Sequence, residues 1–321
     1  MRRARQRRPT LTPAGTEPRF SISQISSFPS SFADDVHAYA AAGVDGIGVW
    51  ELKLPEGGDA GALEAFEASG LGSASAVPAV PSILPLPLLP GPEDPAERIE
   101  ALCASVHRLA AFDPSAVVVL TGPARDRDPD AAHALVVEGL RAVGAEAERA
   151  GVRLALEPFQ REGIEDWSLI NTLGEAAGLI DEVGSPALGI QFDVWHLWNT
   201  PDLYDEIREH IGLVAAVHVN DWRDPTRGWA DRVLPGDGIA DVPAVLGALE
   251  AAGWNGFYDL EVFSDDGTFG NRYPDSLWVV SVEELARRAL ESFRSQWEQR
   301  ATPSRETTGP ETTSQHVEGR A

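Results

Sequence analysis

The chain contains 321 residues, of which 26 are lysine or arginine and 50 are aspartate or glutamate, and its formal net charge is −24. Because a polyanion repels phosphate groups, this charge argues against nucleic acid and anionic membrane surfaces as partners. The single cysteine, Cys103, excludes an internal disulfide and fits a reducing compartment, so we expect a cytoplasmic protein. No apolar run approaches the roughly 18 residues that a membrane-spanning helix needs.

The two ends of the chain differ in composition from the part between them. Five of the first eight residues are arginine, and we expect residues 1–18 to form a disordered basic tail. Residues 299–321 are rich in threonine, glutamate and serine, a composition that also predicts a disordered tail. Residues 19–298 are then left as a single folded domain, a length that suits an α/β barrel of about 250 residues.

Short apolar segments alternate with segments of helical periodicity through this domain. In the first half they predict a strand at 20–25, a helix at 32–42, a strand at 46–50, a helix at 60–68, a strand at 71–77, a helix at 95–111, a strand at 116–120 and a helix at 129–150. In the second half they predict a strand at 153–157, a helix at 172–183, a strand at 188–193, a helix at 204–210, a strand at 214–219, a helix at 242–252, a strand at 256–261 and a helix at 275–296.

Eight strand–helix units without a break predict the fold class. Regular alternation implies a parallel sheet with helices outside it, and eight units favour a closed (β/α)₈ TIM barrel. The alternative is a doubly wound open sheet. That fold is disfavoured because no glycine-rich phosphate loop follows the first predicted strand.

Four consecutive predicted strands end with a residue that can bind a metal ion. These residues are Glu157 in Leu-Ala-Leu-Glu-Pro, Asp193 in Ile-Gln-Phe-Asp, His218 in Val-His-Val-Asn-Asp and Glu261 in Tyr-Asp-Leu-Glu. The carboxyl ends of barrel strands form one face, and neighbouring strands lie about 4.8 Å apart. The four side chains can therefore meet at one ion. Three carboxylates and one imidazole suit a divalent metal, for which we expect Mn²⁺, with Mg²⁺, Co²⁺ or Zn²⁺ as alternatives.

The order of these motifs resembles the xylose isomerase-like barrel superfamily of sugar (phosphate) isomerases and epimerases. The resemblance covers roughly residues 20–296 and is carried by Leu-Glu-Pro, Asp193-Val-Trp-His196, His218-Val-Asn-Asp221, Pro-Gly-Asp-Gly and Leu-Glu261. It implies that Glu157, Asp193, His218 and Glu261 match the metal ligands of the family. It also implies association, either with a second copy of the chain or with a different chain.

Five residues are candidates for binding substrate. His196 lies three residues after Asp193, where ketose 3-epimerases of the superfamily carry a substrate-binding histidine. Arg223 follows His218 by five residues, whereas the substrate-binding arginine of the family usually follows by six. Trp195 is a candidate for an aromatic wall. Glu51 and Lys53, the only lysine of the chain, come just beyond the second predicted strand.

The metal site and the resemblance together predict a sugar isomerase or epimerase that acts on a small sugar or cyclitol. The metal would stabilise an enediolate formed by proton abstraction next to a carbonyl, with Glu157 and Glu261 exchanging the proton. His196 would orient a substrate oxygen. Two alternatives stay open: a lyase or dehydratase of an oxo-sugar or inosose, including cleavage of C-glycosides, and a non-catalytic barrel that binds a sugar or a protein.

Overall fold

The structure, a computed structural model, describes residues 17–87, 89, 91–160 and 167–300. The tails predicted for residues 1–18 and 299–321 lie almost wholly outside these residues, so both stay predictions. Among the described residues, no helix is both long and apolar enough to cross a lipid bilayer.

Eight parallel strands close into a barrel, in which each strand pairs with its neighbours along the chain and the last pairs with the first. This architecture confirms the predicted (β/α)₈ TIM barrel. The strands are β1 (Arg19–Ser23), β2 (Gly46–Trp50), β3 (Gly72–Val77), β4 (Ala116–Val119), β5 (Leu154–Leu156), β6 (Leu188–Asp193), β7 (Val214–Val219) and β8 (Phe257–Leu260).

In the part of the chain that the structure describes, eight helices of two or more turns surround the barrel, and side-chain caps fix the start of several of them. At the longest helix, the Asp128 side chain accepts hydrogen bonds from the N–H groups of Asp130 and Ala131, and Gly151 ends the helix with a φ of 76°. The helices are α1 (Phe32–Ala42), α2 (Ala60–Ser69), α3 (Pro95–Leu109), α4 (Pro129–Ala150), α5 (Leu173–Val183), α6 (Leu203–His210), α7 (Val242–Ala252) and α8 (Val282–Gln299).

The prediction of one helix over residues 275–296 is wrong at its start. This segment first forms a 3-10 turn, Leu277–Val279, and α8 begins later. The cause is a cap at Ser281, whose side chain accepts a hydrogen bond from the N–H of Glu284. The last helix is therefore shorter at its amino end than its periodicity predicts.

Two short elements at the carboxyl side of the barrel fall outside the predicted elements. One is a single helical turn, Val194–Leu197, directly after β6. The other is an antiparallel hairpin after β7, in which Asp221–Trp222 pairs with Arg232–Val233. Both elements bring side chains over the mouth of the barrel.

The middle of the barrel contains polar side chains just below its mouth. The carboxylate of Asp259 on β8 accepts hydrogen bonds from Ser21 Oγ on β1 at 2.8 Å and from Ser75 Oγ on β3 at 2.6 Å. Gly48 on β2 leaves room for this carboxylate, since a Cβ at that position would lie 2.3 Å from Asp259 Oδ2. The main apolar core lies between the barrel and its helices.

Candidate active site

The four predicted metal ligands meet at the carboxyl-terminal mouth of the barrel. Glu157 and Glu261 come directly after β5 and β8, and each N–H extends the parallel ladder by bonding to the preceding strand. Asp193 and His218 face each other as Cα partners of β6 and β7. All four side chains are buried, and one ligand atom from each lies within 4.8 Å of the other three.

The imidazole of His218 points into a group of three carboxylates. Its Nδ1 lies 3.4 Å from Glu261 Oε2, 3.9 Å from Glu157 Oε1 and 4.0 Å from Asp193 Oδ2. Both Nδ1 of His218 and Oε1 of Glu157 are buried without a hydrogen-bond partner among the described residues. Such buried atoms are rare unless something else satisfies them. The four residues fit a divalent metal ion.

The pKa shifts report the same surplus of negative charge. Burial and the charges of Asp193 and Glu261 raise the pKa of the Glu157 carboxyl well above its usual range. Burial lowers the pKa of His218, but the neighbouring charges of Glu261, Asp259 and Asp193 outweigh it and raise that pKa to about 10. A cation at this point would neutralise the surplus and favour the ionised carboxylates.

The far side of His218 is fixed by a hydroxyl and a carboxylate. Its Nε2 lies 3.1 Å from Ser75 Oγ and 3.7 Å from Asp259 Oδ2. Burial raises the pKa of Asp259 to about 6, against the opposing effects of His218, Ser75 and Ser21. This arrangement orients the ring so that Nδ1 faces the three carboxylates, as hydrogen bonds behind a metal-binding histidine commonly do.

Backbone and amide groups also fix the orientation of Asp193. Its Oδ1 accepts hydrogen bonds from the Trp195 N–H and from Asn220 Nδ2, each at 2.8 Å. Asn220 Nδ2 also donates to the carbonyl oxygen of Glu261 at 3.1 Å. The second carboxylate oxygen of Asp193 is therefore left to face the other ligands.

Arg232, on the second strand of the hairpin, completes the charged group. Its Nη1 lies 2.9 Å from both Asp193 Oδ2 and Glu261 Oε2. The guanidinium sits between two aromatic rings, 4.7 Å from the centroid of Trp195 and 4.8 Å from that of Phe263. Burial opposes ionisation of Glu261, but His218 and Arg232 outweigh it and hold the pKa of that carboxyl below its usual value.

A cavity opens above these charged groups. The space between its lining atoms measures about 590 Å³, including the part that opens to solvent. Among the described residues, four polar side chains and twelve apolar or aromatic ones line the cavity, and the aromatic ones are Trp50, Phe159, Trp167, Trp195, Trp229 and Phe263.

Residues 36–296 match the protein family described as Xylose isomerase-like TIM barrel. The matched segment is more than half of the chain and contains all four candidate ligands. The chain belongs to this family. The resemblance inferred from the strand-end motifs is thereby confirmed at the level of the family.

Three curated relatives have names from two reaction classes. The inosose isomerase of Bacillus velezensis is 30% identical over 121 residues, which are 36% of this chain and 42% of the relative. The D-psicose 3-epimerase of Enterocloster bolteae is 28% identical over 169 residues, 52% and 51% of the two chains. The inosose dehydratase of Geobacillus thermodenitrificans is 25% identical over 146 residues, 41% and 47%. The chain spans about half the length of the curated relatives it matches.

Solved structures of the same fold align over most of the chain. Protein SMc04130 of Sinorhizobium meliloti is 28% identical, with a TM-score of 0.75 over 86% of this chain and 98% of that one. The IOLI protein with a bound zinc atom is 18% identical, with a TM-score of 0.71 over 89% and 100%. The 3-keto-D-glucoside 4-epimerase of E. coli is 20% identical, with a TM-score of 0.65 over 87% and 100%. At these identities the last two show the shared fold alone.

In this xylose isomerase-like barrel, two of the five predicted substrate-binding residues line the cavity. His196, in the helical turn after β6, stacks on Phe159 with ring centroids 4.1 Å apart. Burial lowers the pKa of His196 to about 3, against the nearby charge of Asp193, so the ring is neutral. Its Nδ1 and the Nε1 of Trp195 are buried without a hydrogen-bond partner among the described residues.

The other three predicted substrate-binding residues do not line the cavity. Arg223 pairs with two carboxylates that are not part of the described lining: its Nε lies 2.9 Å from Asp231 Oδ1 and its Nη2 lies 2.8 Å from Asp275 Oδ2. Glu51 and Lys53 likewise bind groups that are not part of the described lining.

Glu51 and Lys53 fix the loops that follow β1 and β2. Lys53 Nζ lies 2.6 Å from Asp35 Oδ2 and donates to the carbonyl oxygens of two residues after β1. Glu51 Oε2 accepts a hydrogen bond from the Ala79 N–H at 2.8 Å, and its Oε1 pairs with Arg108 at 3.2 Å. Both charged groups have their electrostatic partners away from the cavity.

Hydrogen bonds to Asp221 fix the loop that contains the Pro-Gly-Asp-Gly segment, residues 235–238. The Asp221 carboxylate accepts hydrogen bonds from the N–H groups of Trp222, Gly236, Gly238 and Ala240, at 2.8 to 3.1 Å. Glycine is required at 238, where a Cβ would lie 2.3 Å from the Trp222 carbonyl oxygen. The two glycines therefore shape a turn and do not approach the cavity.

Reasoning from strand ends did not single out Arg232, Phe159, Trp167, Trp229 or Phe263 as site residues. All five come from loops or from the hairpin that follow the barrel strands. One usable signal was present: Trp167 and Trp229 are large apolar residues inside polar segments. Nothing in the spacing of the sequence indicates that their rings meet.

Proposed function

We propose that this protein is a divalent-metal-dependent isomerase or epimerase of a small sugar or cyclitol. The proposal rests on the buried cluster of Glu157, Asp193, His218 and Glu261 at the mouth of the barrel. Mn²⁺ is the proposed ion, since three carboxylates and one imidazole form a donor set of intermediate hardness, and Mg²⁺, Co²⁺ and Zn²⁺ are the alternatives. The similarity to named sugar and cyclitol isomerases and epimerases supports the reaction class.

A divalent ion held by these residues would polarise a substrate carbonyl and so acidify the neighbouring C–H bond. Glu157 and Glu261 reach the site from β5 and β8, and one takes the proton while the other returns it. Return of the proton to the former carbonyl carbon, with transfer of the neighbouring hydroxyl proton to the former carbonyl oxygen, interconverts an aldose and a ketose. Return to the opposite face of the same carbon gives an epimer.

His196 and Arg232 would position the substrate next to these carboxylates. His196 is neutral, so its free Nδ1 serves as a hydrogen-bonding group for a substrate oxygen and carries no charge. Arg232 keeps Glu261 ionised and presents further N–H groups at the edge of the cavity. Trp195 supplies an aromatic wall beside them.

A dehydratase or lyase of an oxo-sugar or inosose is the second candidate, and the apolar lining of the cavity favours it. In that reaction the C–H bond next to the carbonyl breaks and its proton goes to a glutamate. A C=C bond forms from the released electron pair, and the β-substituent leaves with the electrons of its own bond. The relative named inosose dehydratase supports this class.

The test is solvent exchange measured by NMR. Protein loaded with Mn²⁺ is incubated in D₂O with an inosose, D-psicose or a 3-oxo-glucoside, and deuterium is followed at the carbon next to the carbonyl. Exchange without loss of a group supports the isomerase or epimerase. Exchange with release of water or an aglycone supports the lyase.

Protein stripped with a chelator is the control and should not exchange. A protein that binds Mn²⁺ but exchanges none of these compounds would contradict both reactions and favour the non-catalytic barrel. Exchange that persists fully after the metal is removed would contradict the role given to the four ligands.

A further inference from the structure

Seven side chains around the cavity form a closed ring of neighbours. Successive ring centroids lie 4.1 to 6.3 Å apart along five of these contacts. Arg232 completes the ring, because its guanidinium lies against both Trp195 and Phe263. We call this set the aromatic collar, and its members in order are Trp195, His196, Phe159, Trp167, Trp229, Phe263 and Arg232.

The polar groups of the cavity are concentrated at its charged end. Among the described residues, the only charged or histidine side chains in the lining are Glu157, His196, Arg232 and Glu261, and all four stand at or beside the metal ligands. Further from that end the lining is apolar, with Leu86 and Leu89 from the loop after β3 among its members.

Trp167 and Trp229 are less buried than the aromatic residues at the charged end of the cavity. Both are half-buried, whereas Trp195 and Phe263 at the charged end are buried. Their centroids lie 5.7 Å apart. Partly covered rings next to an apolar wall gain most from a ligand group that is itself apolar and flat.

A sugar without a substituent suits only one end of this cavity. Each hydroxyl that loses water on binding needs a hydrogen-bond partner, and a buried hydroxyl without one weakens binding. Among the described lining residues, the charged groups and the imidazole stand near the metal ligands, whereas the side chains of the apolar half offer only the indole N–H groups of Trp167 and Trp229. The part of the substrate that enters the apolar half should therefore carry few hydroxyls.

We propose that the substrate is an oxo-sugar or oxo-cyclitol that carries an aromatic substituent. Its hydroxy-ketone lies at the four metal ligands, and its aromatic ring lies inside the aromatic collar beside Trp167 and Trp229. This inference rests on the proposed function for the position of the hydroxy-ketone. The aromatic substituent is inferred from the aromatic collar alone.

The test compares two ligands that differ only in the substituent, phenyl and methyl 3-oxo-β-D-glucopyranoside. Their affinities for the Mn²⁺-loaded protein are measured by calorimetry, and exchange of the proton next to the carbonyl is followed by NMR. We expect the phenyl compound to bind at least tenfold more tightly, which corresponds to about 1.4 kcal/mol.

Variants locate the source of this preference. Trp229→Ala and Trp167→Ala should each reduce the phenyl-to-methyl affinity ratio several-fold while Mn²⁺ affinity is retained. Trp297→Ala is the matched control, since Trp297 is also half-buried but packs on Phe293 at the other end of the barrel. It should leave the ratio as in the native protein.

The outcomes separate this inference from the proposed function. If the phenyl compound binds no more tightly than the methyl compound, including the case in which neither binds, the inference is overturned. A ratio that both tryptophan variants leave unchanged overturns it as well. If the phenyl compound binds more tightly but no substrate exchanges, the substrate class stands and the proposed catalysis fails.

Discussion

The two halves of the barrel meet the same cavity with opposite chemistry. From β5 to β8 come the four side chains that can hold a metal ion. From β2, β3 and β4 come Trp50, Val77 and Val118, which are all apolar. The strands of one half thus provide charge for the reacting carbons, and the strands of the other provide apolar side chains. The aromatic collar comes from the segments that follow β5 to β8.

Polar residues also follow the strands of the first half, but their side chains form hydrogen bonds with neighbouring strand and loop residues. Gln24 accepts a hydrogen bond from the Trp50 N–H at 3.1 Å and donates to Asp35 at 2.8 Å. Thr121 Oγ1 accepts one from the Leu169 N–H at 2.9 Å. A polar residue at a strand end is therefore not a ligand by position alone. The ligand atoms of Glu157 and His218 differ because they lack such a partner among the described residues.

The largest effect is expected from Asp193→Ala, which removes a ligand from the charged half. We expect loss of Mn²⁺ binding and an exchange rate that is lower by about 10³-fold, since a Lewis acid contributes several kcal/mol to the barrier. Metal analysis and NMR exchange measure both. The control is Thr121→Val, at a strand end of the apolar half, which should retain the metal. If Asp193→Ala keeps its Mn²⁺, the charged half does not hold the metal in the way proposed.

A large effect on stability is expected in the other half from Lys53→Met. The variant leaves Asp35 buried without its cation, and removal of one partner of a buried ion pair costs about 3–5 kcal/mol. Urea unfolding should show this loss, whereas Mn²⁺ affinity should stay unchanged. Adding Asp35→Asn should restore part of the stability. A fall in Mn²⁺ affinity would mean that Lys53 supports the metal site, contrary to this prediction.

The smallest effect is expected from Ser75→Ala, which tests how the barrel interior supports the charged half. The substitution removes the hydroxyl between His218 and Asp259, so Mn²⁺ affinity should fall by about tenfold, at the low end of the effect of such supporting groups. Ser21→Ala is the matched control, because Ser21 bonds to the same carboxylate without touching His218. Equal effects of the two variants would contradict the positioning role of Ser75.

What the sequence predicts differs between the strands and the loops. The fold and the ligand positions were predictable because periodicity locates strands, and a parallel barrel brings consecutive strand ends together. The position of Arg232 was not predictable. It depends on a hairpin with only two paired residues on each strand, which is too short to show a strand pattern in the sequence. The collar contact between Trp167 and Trp229 joins residues far apart in the chain, and no local pattern encodes it.

The base and the tip of the hairpin carry different side chains of the site. Asp221 fixes four N–H groups around that base, and the Arg232 N–H bonds to the Phe263 carbonyl oxygen at 3.0 Å. The tip, residues 223–231, carries Trp229. Replacement of the tip by a segment of another length or composition would alter ligand choice while the guanidinium stays where it is. The tip is thus the natural place to redesign selectivity without rebuilding the catalytic machinery.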